Sequence, residues 1–400
     1  MDFEDNPQEA TFRAEACAWL AENAPFFLID STMDEAAIVA RGKAWQRRLF
    51  DGGFAGIAIS KEYGGRGASG IEAGIFAQEE GRYALAKGPY IGIGMGMALP
   101  VLIKHGTPEQ VERFVEPTLR GEITWCQLFS EPSAGSDLAA LRTRAVRDGD
   151  AWVVNGQKVW SSWAHHADWG ILIVRSDPSV PKHKGLTFFV VDMKSPGIEV
   201  RPIRQISGAS DFNETFLTDV RIPDTDRVGG IGEGWGATMT TLTGERLGIG
   251  SEDHHGVGAL IRYAQATPAR SGTALDNAAV KLGLASAYAD ELGAKYFHAR
   301  LATMVARGEN PGALASIIKL AYTARFQRSS GLAMEIRGPD AIAPAGEDAE
   351  TLRIQDDYIW SSAIRVAGGA DDVLRNQLAE RVLGMPGDVR ADKNIPFDQL

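Results

Sequence analysis

Cysteine is scarce in this chain of 400 residues, limited to Cys17 and Cys126. Two thiols cannot build a disulfide framework, and this usage fits a reducing compartment such as the cytoplasm. An excess of basic residues is also missing. Acidic residues number 52 against 41 Lys and Arg, giving a net charge of −11. That balance argues against a nucleic-acid partner or an anionic membrane surface. Long apolar runs are missing too. The best candidate, Tyr90 to Ile103, is broken by Gly92, Gly94, Gly96 and Pro100. It falls short of the roughly 18–20 residues of a membrane span, and it reads as a buried helix pair. The opening Met1-Asp2-Phe3-Glu4-Asp5 is acidic and lacks the basic and apolar regions of a secretory signal. No internal repeat or low-complexity segment is visible. What remains is ordinary: 44% apolar and 23% charged residues, a composition typical of a soluble chain long enough for two or three domains.

The periodicity changes twice along the chain. Residues 1–122 read as helical. Asn6 is an N-cap candidate with Pro7 at the first helical position and Glu9 after it. Phe12, Ala16, Trp19 and Leu20 then share a face. Gly64-Gly65-Arg66-Gly67 marks a loop, and further helices are expected over Ile71–Gly81 and Pro108–Leu119. From residue 123 to 232 short β-type runs alternate with turns: Ala151–Val154, Gln157–Ser161, Gly170–Val174, Leu186–Val191, Ile198–Ile203 and Glu214–Ile222. This spacing predicts a small antiparallel barrel or sandwich. Gly229 to Gly234 is a hinge-like junction. Residues 233–400 return to helix, led by Met239, Leu242 and Leu247. Val280 to Leu292, Leu314 to Ala321 and Val373 to Val382 mark three more helices, a four-helix antiparallel bundle. The expected class is α+β, mostly α.

Two segments in the middle region carry chemistry. In Phe129-Ser130-Glu131-Pro132-Ser133-Ala134-Gly135-Ser136-Asp137 the Gly and Pro break regular structure, which leaves Ser hydroxyls and backbone N–H groups free for a polar ligand. In Asn155-Gly156-Gln157-Lys158-Val159-Trp160-Ser161-Ser162 the Asn-Gly pair reads as a hairpin turn. Its far strand ends in an aromatic plane beside two hydroxyls, a mixture suited to a planar polar cofactor. Other signals are weaker. Gly92-Ile93-Gly94-Met95-Gly96 has no preceding strand and the wrong spacing for a dinucleotide loop. Neighbouring residues on a regular element point apart, so neither His165-His166 nor His254-His255 alone makes a metal site. Ser136 has no nearby His base for a hydrolase triad.

The two segments, with Arg375-Asn376-Gln377-Leu378-Ala379-Glu380-Arg381-Val382-Leu383-Gly384-Met385-Pro386, resemble the acyl-CoA dehydrogenases, especially the actinobacterial branch. The resemblance runs from about residue 8 to residue 388. It implies an FAD-dependent oxidoreductase of lipid metabolism that removes the α proton of an acyl-CoA and passes electrons to an electron-transfer flavoprotein. It also implies a tetramer, built of helical, β and helical domains. The family carries its base at one of two places. On the C-terminal helical segment a Tyr-Glu-Gly run is expected, but here Ala367-Gly368-Gly369 stands there and the Glu is absent. On the first bundle helix Leu242-Thr243-Gly244-Glu245-Arg246-Leu247 matches, with Glu245 as the implied base and Arg246 as the neighbouring family Arg. For the flavin the resemblance implies Leu128, Ser130, Gly135, Ser136, Trp160 and Ser162. Ser130 would face the pyrimidine edge, Ser162 would lie near N5, and Trp160 would pack on the ring. Ser136, Arg246, Gly368 and Gly369 are the implied substrate contacts.

Two departures stand out. The family's Arg-x-x-Phe-Gly, which pairs with the flavin pyrophosphate of the neighbouring subunit, is replaced by Ala266-Thr267-Pro268-Ala269-Arg270-Ser271-Gly272. Its Gln-x-x-Gly-Gly-x-Gly phosphate loop is replaced by Glu335-Ile336-Arg337-Gly338-Pro339-Asp340-Ala341, in which Pro339 offers no N–H. Both lost contacts are donated in trans in that family. A homotetramer with Arg270 and Arg337 as substitutes is one reading. A catalytic half of an α2β2 heterotetramer, as in members acting on steroid side chains, is another. A non-catalytic partner subunit and a flavin oxidase or monooxygenase of the same fold are the alternatives in function.

Overall fold

Local chemistry sets the first helix, α1 (Pro7–Asn23). Asn6 Oδ1 accepts from the N–H groups of Gln8 and Glu9 at 2.9 and 3.0 Å, and Glu9 Oε2 accepts from the Asn6 N–H at 2.9 Å. Amides that a helix start leaves unpaired are satisfied in this way. The computed structural model describes residues 5–30, 33–248, 256–307, 309, 312–343, 348–387, 389, 392 and 394–400, without the side chains of 245–248, 302, 305, 306, 315 and 349. The chain forms two compact units. One comprises Glu15–Phe76, Leu85–Gly248 and Asp388–Leu400; the other comprises Met1–Ala14, Ala77–Ala84 and Ile249–Gly387.

The first unit is built on an eight-stranded sheet of order β6-β7-β3-β2-β4-β5-β8, with β1 paired to β4. The strands are β1 (Trp125–Leu128), β2 (Arg144–Asp148), β3 (Ala151–Lys158), β4 (Trp169–Arg175), β5 (Leu186–Asp192), β6 (Ile198–Ile203), β7 (Phe212–Pro223) and β8 (Arg227–Val228). β4 and β5 are apolar almost throughout because both faces are covered. Ile171 and Ile173 join Phe114, Trp125 and Phe188 on the helical side, while Leu172 and Val174 join Cys126, Leu128 and Trp152 on the other. The same unit holds α2 (Glu35–Asp51), α3 (Gly70–Glu80, shared with the second unit), α4 (Leu99–His105), α5 (Pro108–Leu119) and α6 (Gly234–Gly248). The second unit contains α7 (Val257–Ala266), α8 (Ala278–Ala306), α9 (Ala315–Arg337), α10 (Ala349–Ala363) and α11 (Asp371–Arg381). Its buried ion pair joins Lys319 to Asp371 at 3.0 Å, and Arg365 reaches the same carboxylate at 2.8 Å. Helix α10 has no counterpart in the sequence reading.

Three expectations are corrected. Asn155-Gly156 is not a hairpin turn: β3 runs straight through it, with a register shift against β7 between Val154 and Gly156. Asn155 instead pairs across to Asp219, donating from Nδ2 at 3.0 Å and accepting from the Asp219 N–H at 2.9 Å. Gly156 is required by contact, since a Cβ there would lie 2.4 Å from Thr143 Oγ1. The true hairpin joins β2 to β3 through Gly149, whose φ of 65° needs no Cβ. The sheet is mixed rather than antiparallel, because β1 and β2 both run parallel to β4. Finally, Ile91–Ala98 is a π-helix that continues into α4, not a helix pair. Its wide turn exposes Gly96 O to α6, where a Cβ on Gly244 would stand 2.0 Å away. Among the described residues no helix is long and apolar enough to cross a membrane.

Asp224 ties the end of β7 to Trp152 Nε1 at 2.7 Å and to Arg227 Nε at 2.8 Å. The Arg227 hydrogen bond, with that from Trp152, holds its carboxyl down to about 2. A depressed carboxyl stabilises the fold above its unfolded value near 3.8 and loses that effect as pH falls through 2. We expect Asp224→Asn to lose about 1–2 kcal/mol at neutral pH and to flatten the fall in stability between pH 4 and 2. Denaturant titrations followed by Trp fluorescence check this; an unchanged acid slope would refute it.

Candidate active site

The loop after β1 is held from beneath by a buried ion pair. Lys158, the last residue of β3, is fully buried and donates from Nζ to Phe129 O at 3.0 Å and to Glu131 Oε1 at 2.9 Å. Glu131 also accepts from the N–H groups of Thr143 at 2.8 Å and Arg142 at 2.7 Å. Burial opposes its charge, but Lys158 and these donors outweigh that and hold the carboxyl below its usual range. Burial pushes the Lys158 ammonium down to about 8 against the pull of Glu131. Removing one partner of such a pair leaves an uncompensated buried charge, which costs several kcal/mol. The pair therefore fixes the residues on either side of it, Ser130 and Val159. Ser130 O accepts from the Val159 N–H at 2.9 Å.

Beyond Lys158 the chain leaves the sheet by an unusual route. Trp160 has φ 61° and is 57% exposed, while Ser161 beside it is fully buried. Non-glycine residues in this region cost about 1–2 kcal/mol. A Trp can bury about 150–250 Å², so leaving 57% of it in solvent forgoes about 2–4 kcal/mol of apolar burial. The conformation is held by Asn213. Its carbonyl accepts from the Ser161 N–H at 3.0 Å, and its Nδ2 donates to Ser161 O at 2.9 Å. Trp163 follows with φ 57° and donates its N–H to Asp211 O at 2.8 Å.

The sequence-derived residues sort clearly. Ser130 and Ser162 are half-buried, Gly135 and Ser136 are exposed, and none of the three Ser hydroxyls has a hydrogen bond among the described residues. These lie in one unit with Trp160. The side chain of Leu128 is wholly buried in the sheet core, so its backbone is the part that could meet a ligand. Glu245 and Arg246 lie on α6, and their side chains fall outside the described residues. Gly368 and Gly369 belong to the other unit, with φ of 64° and 99°. An exposed indole in a costly conformation, beside free hydroxyls and an ordered polar loop, fits a planar cofactor with polar edges such as FAD. The sequence reading did not weigh Glu131 or Lys158, although both stand inside its two motifs. It also missed the C-terminal segment. There Phe397 lies 3.7 Å from the Arg175 guanidinium, and Lys182 joins Asp392 at 2.7 Å and Asp137 at 2.8 Å, next to Ser136.

The comparisons agree with this architecture, a helical and β fold of the dehydrogenase type. Family profiles for the acyl-CoA dehydrogenase N-terminal, middle and C-terminal domains match residues 6–122, 126–220 and 232–383. The chain belongs to the acyl-CoA dehydrogenase family. It is 41% identical to acyl-CoA dehydrogenase FadE34 of Mycobacterium tuberculosis over 80% of this chain but only 43% of that protein, so it spans less than half of that relative. It is 37% identical to acyl-CoA dehydrogenase IpdE1 of the same organism, over 95% of this chain and 98% of the relative. Among solved structures it is similar to the ChsE4-ChsE5 complex from Mycobacterium tuberculosis, with a TM-score of 0.83, 30% identity, and coverage of 97% of this chain and 100% of that chain.

Lys158→Met should cost about 3–5 kcal/mol, and adding Glu131→Gln to it should recover part of the loss. Unfolding of both singles and the double checks this: strictly additive losses would show that the pair does not act as a unit.

Proposed function

We propose that this chain is the catalytic subunit of an FAD-dependent acyl-CoA dehydrogenase, converting an acyl-CoA thioester to the trans-2-enoyl-CoA. The observation that carries the reading is Trp160, held exposed at φ 61° above the buried Lys158–Glu131 pair. Trp160, Ser130, Ser162 and the backbone of the 129–136 loop would hold the flavin, with Gly135 and Ser136 toward its substrate side. When bound, FAD supplies the acceptor for the hydride that leaves Cβ. Glu245 takes the α proton, a poor acid that needs a placed carboxylate and stabilisation of the developing enolate oxygen. Gly244 lets α6 lie against Gly96 O, which fixes the backbone one residue before that carboxylate. Backbone N–H groups at Gly368 and Gly369 polarise the thioester oxygen, and Arg246 supports the substrate side. An electron-transfer flavoprotein is the onward acceptor.

The subunit arrangement follows from the two altered segments. Thr267 donates its hydroxyl to Tyr263 O at 2.8 Å within its own helix, and Pro268 follows the end of α7. Arg337, a possible substitute for a phosphate contact, is engaged by Glu350 and Asp348. Pro339 offers an anion no N–H, and the carboxylate of exposed Asp340 repels it. We therefore read the chain as one half of an α2β2 assembly whose paralogous partner gives the missing Arg and Gly-rich loop. The two-chain ChsE4-ChsE5 complex is a precedent in a similar structure.

The deciding experiment is the visible spectrum of the purified chain, alone and co-expressed with a paralogue, with flavin counted per chain. We expect weak loading alone and full loading in the complex. About one flavin per chain in a homotetramer would instead assign the phosphate contact to exposed Arg270. A second check is Glu245→Gln, which should keep the flavin and lower turnover by about 10²–10⁴-fold. Unchanged turnover in the complex would make this chain a scaffold.

A further inference from the structure

Beside the flavin-facing turn, three side chains converge for which the dehydrogenase reaction has no use. Glu35 is the first residue of α2, and His165 and His166 lie on the 3-10 turn Ala164–His166. Adjacent residues diverge on a regular strand or helix, but this turn brings the two imidazoles to 4.3 Å between centroids. Both Nε2 atoms face one carboxylate oxygen, Glu35 Oε1, at 2.8 Å from His165 and 2.5 Å from His166. The three donor atoms lie within 4.8 Å of one another. We propose that Glu35, His165 and His166 form a binding site for a zinc-type divalent cation, which would tie α2 to the turn that follows Ser162.

The chemistry suits that class of ion. Two neutral imidazoles and one carboxylate give a ligand set of charge −1, with the N and O donors that zinc accepts. Tetrahedral zinc with bonds of about 2.0–2.2 Å holds its donors about 3.3–3.6 Å apart. The present contacts to Glu35 would open by about 0.5–1.1 Å, within the reach of side-chain torsions. Side-chain exposures of 20% for His165, 28% for His166 and 43% for Glu35 leave an entry path and room for a water as fourth ligand. The base of the site is built: His166 N–H donates to Trp163 O at 2.9 Å, and Trp163 stacks near His165 at 6.2 Å and lies tilted to His166 at 6.0 Å. At present each Nε2 donates to Glu35 Oε1, so the cation would take the place of both Nε2 protons, and the buried Nδ1 of His165 has no hydrogen-bond partner among the described residues.

The test is a metal titration of the full chain, in whatever assembly it purifies, after chelator treatment. Zn²⁺ binding is followed by calorimetry and by thermal midpoint, and Co²⁺ by its ligand-field absorption. The expected result is one ion per chain, a tetrahedral-type Co²⁺ spectrum bleached by Zn²⁺, and a raised midpoint. Loss of even a supporting partner of a metal ligand typically costs about 10–100-fold in affinity, so His165→Ala, His166→Ala and Glu35→Gln should each cost at least that, while His298→Ala on α8 should change nothing. Absence of saturable binding, or binding equal in wild type and all three variants, overturns the proposal. The readouts do not depend on turnover, so they stand apart from the proposed dehydrogenation.

Discussion

The site rests on one buried charge pair. Lys158 and Glu131 stand inside the two motifs, and each brings its own segment with it. The Lys ammonium takes Phe129 O and the carboxylate; the carboxylate takes the amides of Arg142 and Thr143. Three segments thus converge on two buried side chains. Neither charge is tolerable alone there, so the geometry is all or nothing. This rigidity has a use above it. Ser130 and Val159 are neighbours of the pair, and Trp160 begins one residue beyond.

Strain is concentrated where the pair can support it. Among the described residues only Trp160, Trp163 and Asp219 combine a side chain with positive φ. Two of these flank Ser161 and Ser162. The third receives Asn155 across the β3–β7 irregularity that Gly156 makes possible. The register shift of β3 and the positive-φ path after Lys158 thus lie at the two ends of the short segment 155–163. Such conformations persist when the surroundings over-determine them, and they cluster at functional sites.

Much of the fold was legible because local signals and global packing agreed. The Asn6 cap, helix Pro108–Leu119 and the strand runs at 170–174 and 186–191 each follow from residues close in sequence. The Asn155-Gly156 hairpin was misread for a long-range reason. An Asn-Gly pair is a strong turn signal, but here Thr143 needs the missing Cβ and Asp219 needs the amide, and both partners lie outside the local window. The parallel pairing of β1 escaped for the same reason, since four residues carry no mark of direction. At the site, the Ser and Trp positions were readable as chemistry. Glu131 and Lys158 were not, because charged residues are ordinarily solvated and only the fold shows that these two are not. His165 and His166 were discounted on regular-element geometry, which the 3-10 turn does not obey.

The place where the family's alternative Glu is absent carries a backbone argument as well. Gly368 and Gly369 adopt φ of 64° and 99°, a region where a side chain costs about 1–2 kcal/mol. A carboxylate cannot be restored at residue 368 by substitution alone without working against that conformation. At this place the backbone conformation itself, and not only the missing side chain, disfavours a carboxylate. On α6 the constraint is one of contact. Gly244 is required by the close approach of Gly96 O, so this turn of the helix cannot slide or rotate without a clash. The Gly368–Gly369 segment is set by its backbone conformation, and α6 by the register of Gly244 against Gly96 O. These two constraints together support the proposal that Glu245, and not a residue at position 368, is the proton acceptor.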